Sequence, residues 1–327
     1  MIIVFFAFIL VSPAGLISRT LLHKIFMMWT KNNIPDQTGK TIIVTGANAG
    51  IGFETALALY EAGAHVILAC RNLKNAEQAL LKMQERKARG SLEIALLDLS
   101  SLTSVKEFAE TFKQKHKQLH VLINNAGVMI PPASKTAEGY ELQFGVNFLG
   151  HFALSGYLYA VLKGTAGSRI VTVSSLAYLH GTIDFDNLKS EKSYEPMREY
   201  CQSKLAGVLF SLELQRRIAA AGNSVLSIAA QPGANKTNLS RYMSPQAYNK
   251  AIDRIGELME PWQGALPSLY AAVAAEAAGG ELYGPDKDGG YRGYPALATI
   301  TPNALDESLA QKLWSLAVRV TGIDYPL

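Results

Sequence analysis

Length, composition and charge already narrow the class of protein. The chain has 327 residues, of which 49% are hydrophobic and 18% charged, so one α/β unit with extensions can bury a large core. A net charge of +4 without a run of lysine or arginine excludes nucleic acid as an expected partner. Cys70 and Cys201 have no metal or redox spacing, so we predict a reducing, cytoplasmic environment and no metal site.

The N-terminal segment is apolar but too short for a membrane span. Residues 1–11 are nearly all apolar, whereas a bilayer span needs roughly 20 such residues. Residues 16–29 are mostly apolar but carry basic side chains, and no basic side chain precedes the first run as in a secretory signal. Three interpretations stay open: a membrane-surface anchor, a helix packed on the body, or a leader upstream of the true start. We assign residues 1–33 to an extension, with weak membrane association through residues 1–29 if that segment is retained.

From Lys40 onward, apolar β-branched runs alternate with helical patterns. The predicted strands lie at 41–44, 65–70, 92–97, 120–123, 169–173 and 224–229, with a short seventh at 281–283. The predicted helices lie at 51–62, 75–88, 104–115, 141–162 and 197–221. This alternation predicts an α/β fold with one doubly wound, Rossmann-type parallel sheet of about seven strands and helices on both faces. Ligands bind such sheets at the carboxyl ends of the strands.

The predicted catalytic domain covers residues 34–300, and residues 301–327 form a C-terminal helical extension. Thr301 can cap a helix over 301–320, and Pro302 suits its first turn. Leucines at 305, 309, 313 and 316 share one face of this helix, which we expect to pack against the body.

A glycine-rich turn, Thr-Gly-Ala-Asn-Ala-Gly-Ile-Gly at 45–52, follows the first predicted strand. Gly46 permits a sharp turn, while Gly50 and Gly52 remove side chains where a pyrophosphate and the sheet come close. The helix that begins at Ile51 offers unpaired N–H groups and a positive dipole to phosphates. The placement between strand and helix predicts a dinucleotide-binding site.

Tyr200 and Lys204 are four residues apart in a predicted helix, which puts both side chains on one face. An unperturbed tyrosine is a poor base at neutral pH, and a nearby ammonium favours the phenolate, so we expect Lys204 to lower the pKa of Tyr200. The phenol then serves as general acid or base. Together with the glycine turn, the pair predicts hydride transfer with a nicotinamide cofactor.

The spacing Thr-Gly-x-x-x-Gly-x-Gly and the Tyr-x-x-x-Lys pair resemble the short-chain dehydrogenase/reductase family. The resemblance is greatest to its retinol dehydrogenase-like and protochlorophyllide reductase-like branch, which includes many bacterial oxidoreductases. It covers the chain from about Ile34 to the C-terminus. It implies an NADP(H)-dependent enzyme that interconverts a carbonyl and an alcohol on a lipophilic small molecule.

The cofactor preference depends on the residues after the second strand. NAD binders place a carboxylate there for the ribose 2′-hydroxyl, whereas an arginine favours a 2′-phosphate. The segment Ala-Cys-Arg-Asn at 69–72 has no carboxylate, and Arg71 can pair with a phosphate bidentately. We therefore predict NADP(H) rather than NAD(H), with a solvated loop arginine as the alternative.

The resemblance also implies the other residues of the site. Asn147 supports a water-mediated proton path to Lys204, and Ser175, rather than Ser174, holds the substrate oxygen near Tyr200. We expect His151 to be structural. The remaining implied cofactor contacts are Asn48, Asp98, Leu99, Asn125, Ala126, Gly127, Pro232, Gly233 and Thr237.

Two segments are expected near the substrate. The gap between Ser175 and Tyr200 is longer than in the shortest relatives, and its excess at 181–195 resembles an insertion that forms a flap. A solvated surface loop is the alternative. Residues 238–265 are rich in apolar and aromatic side chains, which suits a lipophilic substrate or packing on the sheet.

Other functions stay open on sequence grounds. A light-driven carbon–carbon double-bond reductase of the protochlorophyllide type would depend on illumination for turnover. A non-catalytic NADP(H)-binding protein would bind cofactor without oxidising it, although Ser175, Tyr200 and Lys204 argue against loss of catalysis. A membrane-surface structural protein would depend on the N-terminal segment. The resemblance favours a homo-oligomer and leaves the substrate and the direction of the reaction open.

Overall fold

The computed structural model describes residues 28–327, so most of the N-terminal segment on which the anchor and leader predictions rest lies outside the described residues. Eight strands form one sheet in the order β3-β2-β1-β4-β5-β6-β7-β8. They are β1 (Thr41–Thr45), β2 (His65–Cys70), β3 (Ser91–Leu96), β4 (Val121–Asn124), β5 (Arg169–Val173), β6 (Leu226–Ala230), β7 (Leu282–Lys287) and β8 (Arg292–Leu297). All neighbouring pairs are parallel except β7 and β8.

The helices pack on the two faces of this sheet. They are α1 (Gly50–Glu61), α2 (Leu73–Gln84), α3 (Leu102–Lys115), α4 (Leu142–Phe144), α5 (Gly150–Lys163), α6 (Pro196–Ala220), α7 (Pro245–Ile255), α8 (Pro261–Val273), α9 (Pro302–Leu305) and α10 (Glu307–Thr321). This arrangement confirms the predicted doubly wound α/β fold, with one strand more than the predicted seven.

The strands are apolar at successive positions because both faces of the sheet are buried. Ile42 and Val44 on β1 lie in a core with α1, α2 and α8, whereas Ile43 lies in a second core with α3, α5 and α6. All three side chains are fully buried. A strand covered on both faces has no polar side to present, which explains the unbroken apolar runs in the sequence.

The helix predicted over 141–162 is present as one continuous helical stretch, but its first part is not regular α-helix. The structure has α4, then a π-helical turn over Gly145–Leu149, and then α5. A Cβ atom at Gly145 would lie 2.1 Å from Thr136 Cγ2, so the backbone packs closely against that residue. π-Helical turns are rare and occur often at functional sites, and this one contains Asn147.

The strand β8 is not predicted from the sequence. Its residues, Arg-Gly-Tyr-Pro-Ala-Leu, include a glycine and a proline, which are unusual within a central strand. At the edge of the sheet the strand tolerates both. From β8, Arg292 donates hydrogen bonds to the carbonyls of Ile255 and Glu257 (3.2 Å for the latter), and so stabilises the end of α7.

The C-terminal helix predicted over 301–320 is interrupted at Asp306. The Asp306 carboxylate accepts a hydrogen bond from Leu309 N at 2.9 Å and caps α10, so Asp306 rather than Thr301 begins the long helix. Trp314 on α10 packs against Phe152 of α5 and Phe210 of α6, with ring centroids 5.0 and 6.1 Å away. Within residues 28–327, no helix combines the length and the apolar character needed to cross a bilayer.

Candidate active site

The glycine-rich turn joins β1 to α1 at the carboxyl edge of the sheet. Gly46 and Gly50 have φ angles of +66° and +56°, a left-handed conformation that favours glycine. A Cβ atom at Gly52 would lie 2.4 Å from Asn125 Nδ2, so no side chain fits there. Ala49 precedes α1, and no side chain within residues 28–327 caps the helix at this position. The first N–H groups of α1 are therefore available to an anion. The turn contains the predicted Gly46, Asn48, Gly50, Ile51 and Gly52.

Thr45 connects the end of β1 to the loop after β4. Its hydroxyl oxygen accepts hydrogen bonds from the N–H groups of Asn125 and Ala126, both at 2.9 Å. The His151 ring lies 3.0 Å from this hydroxyl through Nε2 and 3.1 Å from the Asn147 carbonyl through Nδ1. Burial lowers the pKa of His151 to about 4, so the ring is neutral at physiological pH and acts as a brace. This network holds the loop after β4 against the glycine turn.

Tyr200 and Lys204 lie one turn apart on α6, and both are buried, with 3% and 6% of their surface exposed. Lys204 Nζ donates a hydrogen bond to the carbonyl of Val173, the last residue of β5, at 3.1 Å. The same Nζ lies 5.7 Å from the centroid of the Tyr200 ring. The Ser175 hydroxyl, which follows the end of β5, acts on the Tyr200 phenol in the direction that lowers its pKa. Helix α6 and strand β5 therefore bring a phenol, an ammonium and a hydroxyl together.

Ser174 and Ser175 have different environments. The buried Ser174 hydroxyl donates to the Lys204 carbonyl at 2.8 Å and joins β5 to α6. Ser175 is half-buried, and its hydroxyl accepts a hydrogen bond from Ala177 N at 3.2 Å. Of the two serines, Ser175 is the one whose hydroxyl faces Tyr200.

Burial controls the protonation of the Tyr200–Lys204 pair. Loss of hydration raises the pKa of Tyr200 to about 12, although the interaction with Ser175 opposes the rise. Loss of hydration also lowers the pKa of Lys204 to about 8. The prediction that Lys204 lowers the pKa of Tyr200 is wrong, because burial removes the phenol from water and disfavours its charged form. At neutral pH, Tyr200 is a phenol and holds its proton.

Asn147 joins the π-helical turn to the loop after β4 and to α6. Its Oδ1 accepts from Val128 N, and its Nδ2 donates to the Val128 carbonyl and to Ser203 Oγ, all at 2.9 Å. A Cβ atom at Gly127 would lie 3.3 Å from Asn147 Oδ1 and 3.5 Å from Lys204 Nζ. The predicted Gly127, Asn147 and Lys204 therefore meet at one point.

The predicted residues after β2 and β3 are divided between surface and core. The Arg71 side chain directly follows β2 and is exposed. One carboxylate oxygen of Asp98 accepts hydrogen bonds from the N–H and hydroxyl of Ser100, at 2.9 and 2.6 Å. Leu99 is 6% exposed and belongs to the core, where its Cβ lies 3.0 Å from the position of a Cβ at Gly150. Arg71 and Asp98 thus lie at the carboxyl edge, whereas the Leu99 side chain packs inward.

The loop after β6 folds onto the glycine turn. Gly233 has a φ angle of +68°, and a Cβ there would lie 2.5 Å from the Tyr291 carbonyl oxygen. Pro232 precedes it and is half-buried. Thr237 Cγ2 lies 3.3 Å from the position of a Cβ at Gly50. Of the predicted Pro232, Gly233 and Thr237, the structure therefore brings Thr237 against the glycine turn, next to Gly50.

The segment 181–195 packs against the loop after β4. The Leu188 side chain is buried, and its carbonyl accepts a hydrogen bond from Glu141 N at 3.0 Å. The Tyr194 hydroxyl donates to the Pro131 carbonyl at 2.5 Å. This segment therefore contributes to the wall near Asn147, and its role as a flap stays a prediction.

Comparisons with known proteins decide the family. Residues 40–247 match the family model for short chain dehydrogenase, which is more than half of the chain. Retinol dehydrogenase 13 of Homo sapiens is 41% identical over 303 residues, covering 91% of this chain and 88% of the relative. Retinol dehydrogenase 14 of Mus musculus is 39% identical over 300 residues, covering 87% and 86%. The chain belongs to the short-chain dehydrogenase/reductase family.

Two solved structures agree with the fold. A protein of uncharacterized function from Mycobacterium paratuberculosis has a TM-score of 0.77 and 37% identity, covering 92% of this chain and 100% of that chain. The Pseudomonas aeruginosa RhlG/NADP active-site complex has a TM-score of 0.61 and 23% identity, covering 75% and 94%, and supports the fold alone. As a short-chain dehydrogenase/reductase, the chain is an oxidoreductase of a family that uses a nicotinamide cofactor.

The site fits such a cofactor. The absence of a side chain at Gly52, the positive φ angles of Gly46 and Gly50, and the uncapped start of α1 leave backbone donors and space for a pyrophosphate. Tyr200 and Lys204 lie at the end of β5, on the same edge of the sheet as this turn.

Sequence reasoning does not identify two residues that organise this short-chain dehydrogenase/reductase site, Thr45 and Ser203. Thr45 begins the glycine-rich motif at the end of β1, whose sequence is Thr-Ile-Ile-Val-Thr, but the motif does not show that its hydroxyl holds the loop after β4. Ser203 accepts from Asn147 Nδ2 and donates to the Tyr200 carbonyl at 2.8 Å. No local pattern marks it, because its partner Asn147 is distant in the sequence.

Proposed function

We propose that this protein is an NADP(H)-dependent oxidoreductase that interconverts a carbonyl and an alcohol on a lipophilic small molecule. The observation that carries the proposal is the cluster of the buried Tyr200 and Lys204 with the half-buried Ser175, on the same sheet edge as the glycine turn. The names of its relatives, retinol dehydrogenases 13 and 14, favour a retinoid or another isoprenoid-like substrate.

The proposed mechanism assigns the proton to Tyr200. When bound, a reduced nicotinamide cofactor supplies a hydride to the carbonyl carbon. Tyr200 donates its phenolic proton to the carbonyl oxygen, a role suited to a phenol whose pKa burial raises to about 12. The Ser175 hydroxyl holds the same oxygen close to Tyr200. In alcohol oxidation, Tyr200 first releases its proton along the path that Asn147 and Lys204 support, and the phenolate then accepts the proton of the alcohol.

Lys204 and Asn147 are proposed to support this proton transfer. The Lys204 ammonium stabilises the phenolate that forms on Tyr200, and its hydrogen bond to Val173 fixes its position. Asn147 holds the loop after β4 through Val128 and holds α6 through Ser203. This connection keeps Lys204 beside Gly127, where the proposed proton path begins.

The surface around α7 supports a lipophilic substrate. Within the described part of the chain, α7 buries none of its side chains, although it is amphipathic with Tyr248, Ile252 and Ile255. Tyr242 and Trp262, on either side of α7, are 46% and 45% exposed. Exposed apolar groups in the segment that follows the loop after β6 suit a substrate with a hydrocarbon body and one oxygen.

Arg71 is the basis for the proposed NADP(H) preference. Its exposed guanidinium follows β2, where a 2′-phosphate is recognised in this fold. We expect Arg71→Asp to change the ratio of kcat/KM for NADPH over NADH by about 10- to 100-fold toward NADH, because a charge-assisted hydrogen bond contributes about 1.5–3 kcal/mol. Steady-state kinetics with both cofactors measures this ratio.

The matched control is Arg86→Asp, because Arg86 is also exposed but follows the far end of α2. It should leave the cofactor ratio unchanged. An unchanged ratio in Arg71→Asp would reject the 2′-phosphate role.

A substrate screen tests the proposed function as a whole. Purified protein is incubated with NADPH and, in parallel, NADH over a panel of retinal, other isoprenoid aldehydes, steroids and short-chain carbonyls, in darkness and in light. We expect NADPH oxidation in darkness with the lipophilic aldehydes. Turnover that requires light would favour the double-bond reductase, and cofactor binding without turnover across the panel would favour a non-catalytic protein.

A further inference from the structure

A cluster of two histidines and one glutamate lies on the opposite edge of the sheet from the active site. His65 is the first residue of β2, Glu93 is the third residue of β3, and His116 directly follows α3. His65 is paired in register with Ser91, so His65, Ser91 and Glu93 point to the same face of the sheet, the one that α3 covers. The proposed oxidoreductase function uses none of these residues.

The donor atoms are spaced like the ligands of one small cation. Glu93 Oε2 lies 3.3 Å from His65 Nε2 and 3.0 Å from His116 Nε2. The three donor atoms lie within 4.8 Å of one another. In a tetrahedral zinc site with bonds of about 2.0–2.1 Å, neighbouring ligand atoms are about 3.3 Å apart.

The environment of His65 Nε2 is the strongest evidence that this cluster lacks a ligand. This nitrogen atom is buried, although the His65 side chain as a whole is partly exposed, and it makes no hydrogen bond within residues 28–327. Glu93 Oε2 lies 3.3 Å away but outside hydrogen-bond geometry. The other ring nitrogen, Nδ1, lies 2.7 Å from Ser91 Oγ. If Nδ1–H donates to Ser91, the Nε2 lone pair points toward Glu93 and needs a cation to satisfy it.

We propose that His65, Glu93 and His116 form a Zn²⁺ site that joins β2, β3 and α3. Two imidazoles and one carboxylate match the ligand preference of Zn²⁺, whereas Mg²⁺ prefers oxygen ligands. The three side chains are 28%, 25% and 19% exposed, so solvent can reach the site and supply a fourth ligand.

Lys115 and Ser91 have opposite effects on the affinity of this site for a cation. Lys115 Nζ donates to Glu93 Oε1 at 3.1 Å, so its positive charge competes with a bound cation. Lys115 binds Glu93 Oε1, whereas Oε2 lies beside both histidines and is placed to bind a metal. Ser91 orients the His65 ring, and removal of such a partner weakens metal affinity by about 10- to 100-fold.

The test uses the full chain without a histidine tag, treated with chelator and titrated with Zn²⁺ by calorimetry, with Mg²⁺ as the comparison ion. We expect one Zn²⁺ per chain, no Mg²⁺ binding at the same concentrations, and a higher unfolding temperature with Zn²⁺. His65→Asn and His116→Asn should abolish this binding, whereas His180→Asn, at an exposed histidine outside the cluster, should retain it.

Two surface variants keep the test valid if the histidine variants fail to fold. Ser91→Ala should weaken Zn²⁺ binding by about tenfold or more, and Lys115→Met should strengthen it. The proposal is overturned if the wild-type chain binds no Zn²⁺, if His65→Asn and His116→Asn bind it normally, or if Ser91→Ala and Lys115→Met both leave the affinity unchanged.

Discussion

Tyr200→Phe is expected to reduce kcat by about 10²- to 10⁴-fold, the usual contribution of a positioned general acid. The phenylalanine ring fills the same buried space on α6, so only the proton donor is lost. The glycine turn and the start of α1 are unchanged, so NADPH affinity should stay within about threefold of the wild type, a difference of less than 1 kcal/mol. Steady-state kinetics and fluorescence titration of NADPH measure the two quantities.

Tyr159→Phe is the matched control, because Tyr159 is equally buried but lies on α5 beside Tyr325. It should leave kcat unchanged. If Tyr200→Phe retained kcat, or if both variants lost it equally, Tyr200 would not be the proton donor.

Lys204→Met is expected to remove most turnover and also to stabilise the protein at pH 7. Burial lowers the pKa of Lys204 to about 8, from an ordinary value of 10.5. The folded protein therefore binds a proton at Lys204 less readily than the unfolded chain does. At pH 7 this difference opposes folding by on the order of 3 kcal/mol, since one pKa unit corresponds to about 1.4 kcal/mol.

The sign of the pH dependence follows from the lowered pKa. Between about pH 8 and 10.5 the unfolded chain binds more protons at Lys204 than the folded protein does, so the Lys204 contribution to stability rises with pH in this window. Methionine removes the cost of the buried charge but also the hydrogen bond to Val173. We expect a net gain of roughly 1–3 kcal/mol at pH 7, which shrinks toward pH 10.

Urea unfolding of wild type and Lys204→Met at pH 7 and pH 10 measures this change. Lys163→Met, at an exposed lysine on α5, is the control and should change stability by less than about 0.5 kcal/mol. A Lys204→Met variant that is less stable at pH 7, or that turns over normally, would show that Lys204 is a structural residue rather than one that supports proton transfer.

The fold could be predicted from the sequence wherever burial leaves a periodic pattern. The run that contains Ile42, Ile43 and Val44 is apolar at every position because cores lie on both faces of β1. Such runs, alternating with helical patterns, were sufficient to predict the doubly wound sheet. The edge strand β8 carries no comparable pattern, since its pairing with β7 depends on backbone hydrogen bonds that tolerate its glycine and proline.

Site residues that belong to local sequence motifs were predicted, whereas features that depend on contacts between distant segments were missed. Tyr200 and Lys204 were identified from their helical spacing, and the structure brings them to β5. The pKa of Tyr200 could not be predicted, because sequence shows the neighbouring charge but not the depth of burial. The π-helical turn around Asn147 and the cluster of His65 and His116 are also invisible in sequence, because each depends on the packing of segments far apart in the chain.

The most direct test of the central claim is isotope transfer from cofactor to substrate. NADPH deuterated in turn on each face at C4 of the dihydronicotinamide is incubated with the protein and an aldehyde substrate from the screen, and the alcohol product is analysed by mass spectrometry. We expect one deuterium at the carbinol carbon, delivered from one face of the ring only and at a rate that falls with Tyr200→Phe. An alcohol without deuterium from either labelled cofactor, or formed equally fast by the Tyr200→Phe variant, would contradict the proposed hydride transfer with Tyr200 as the proton donor.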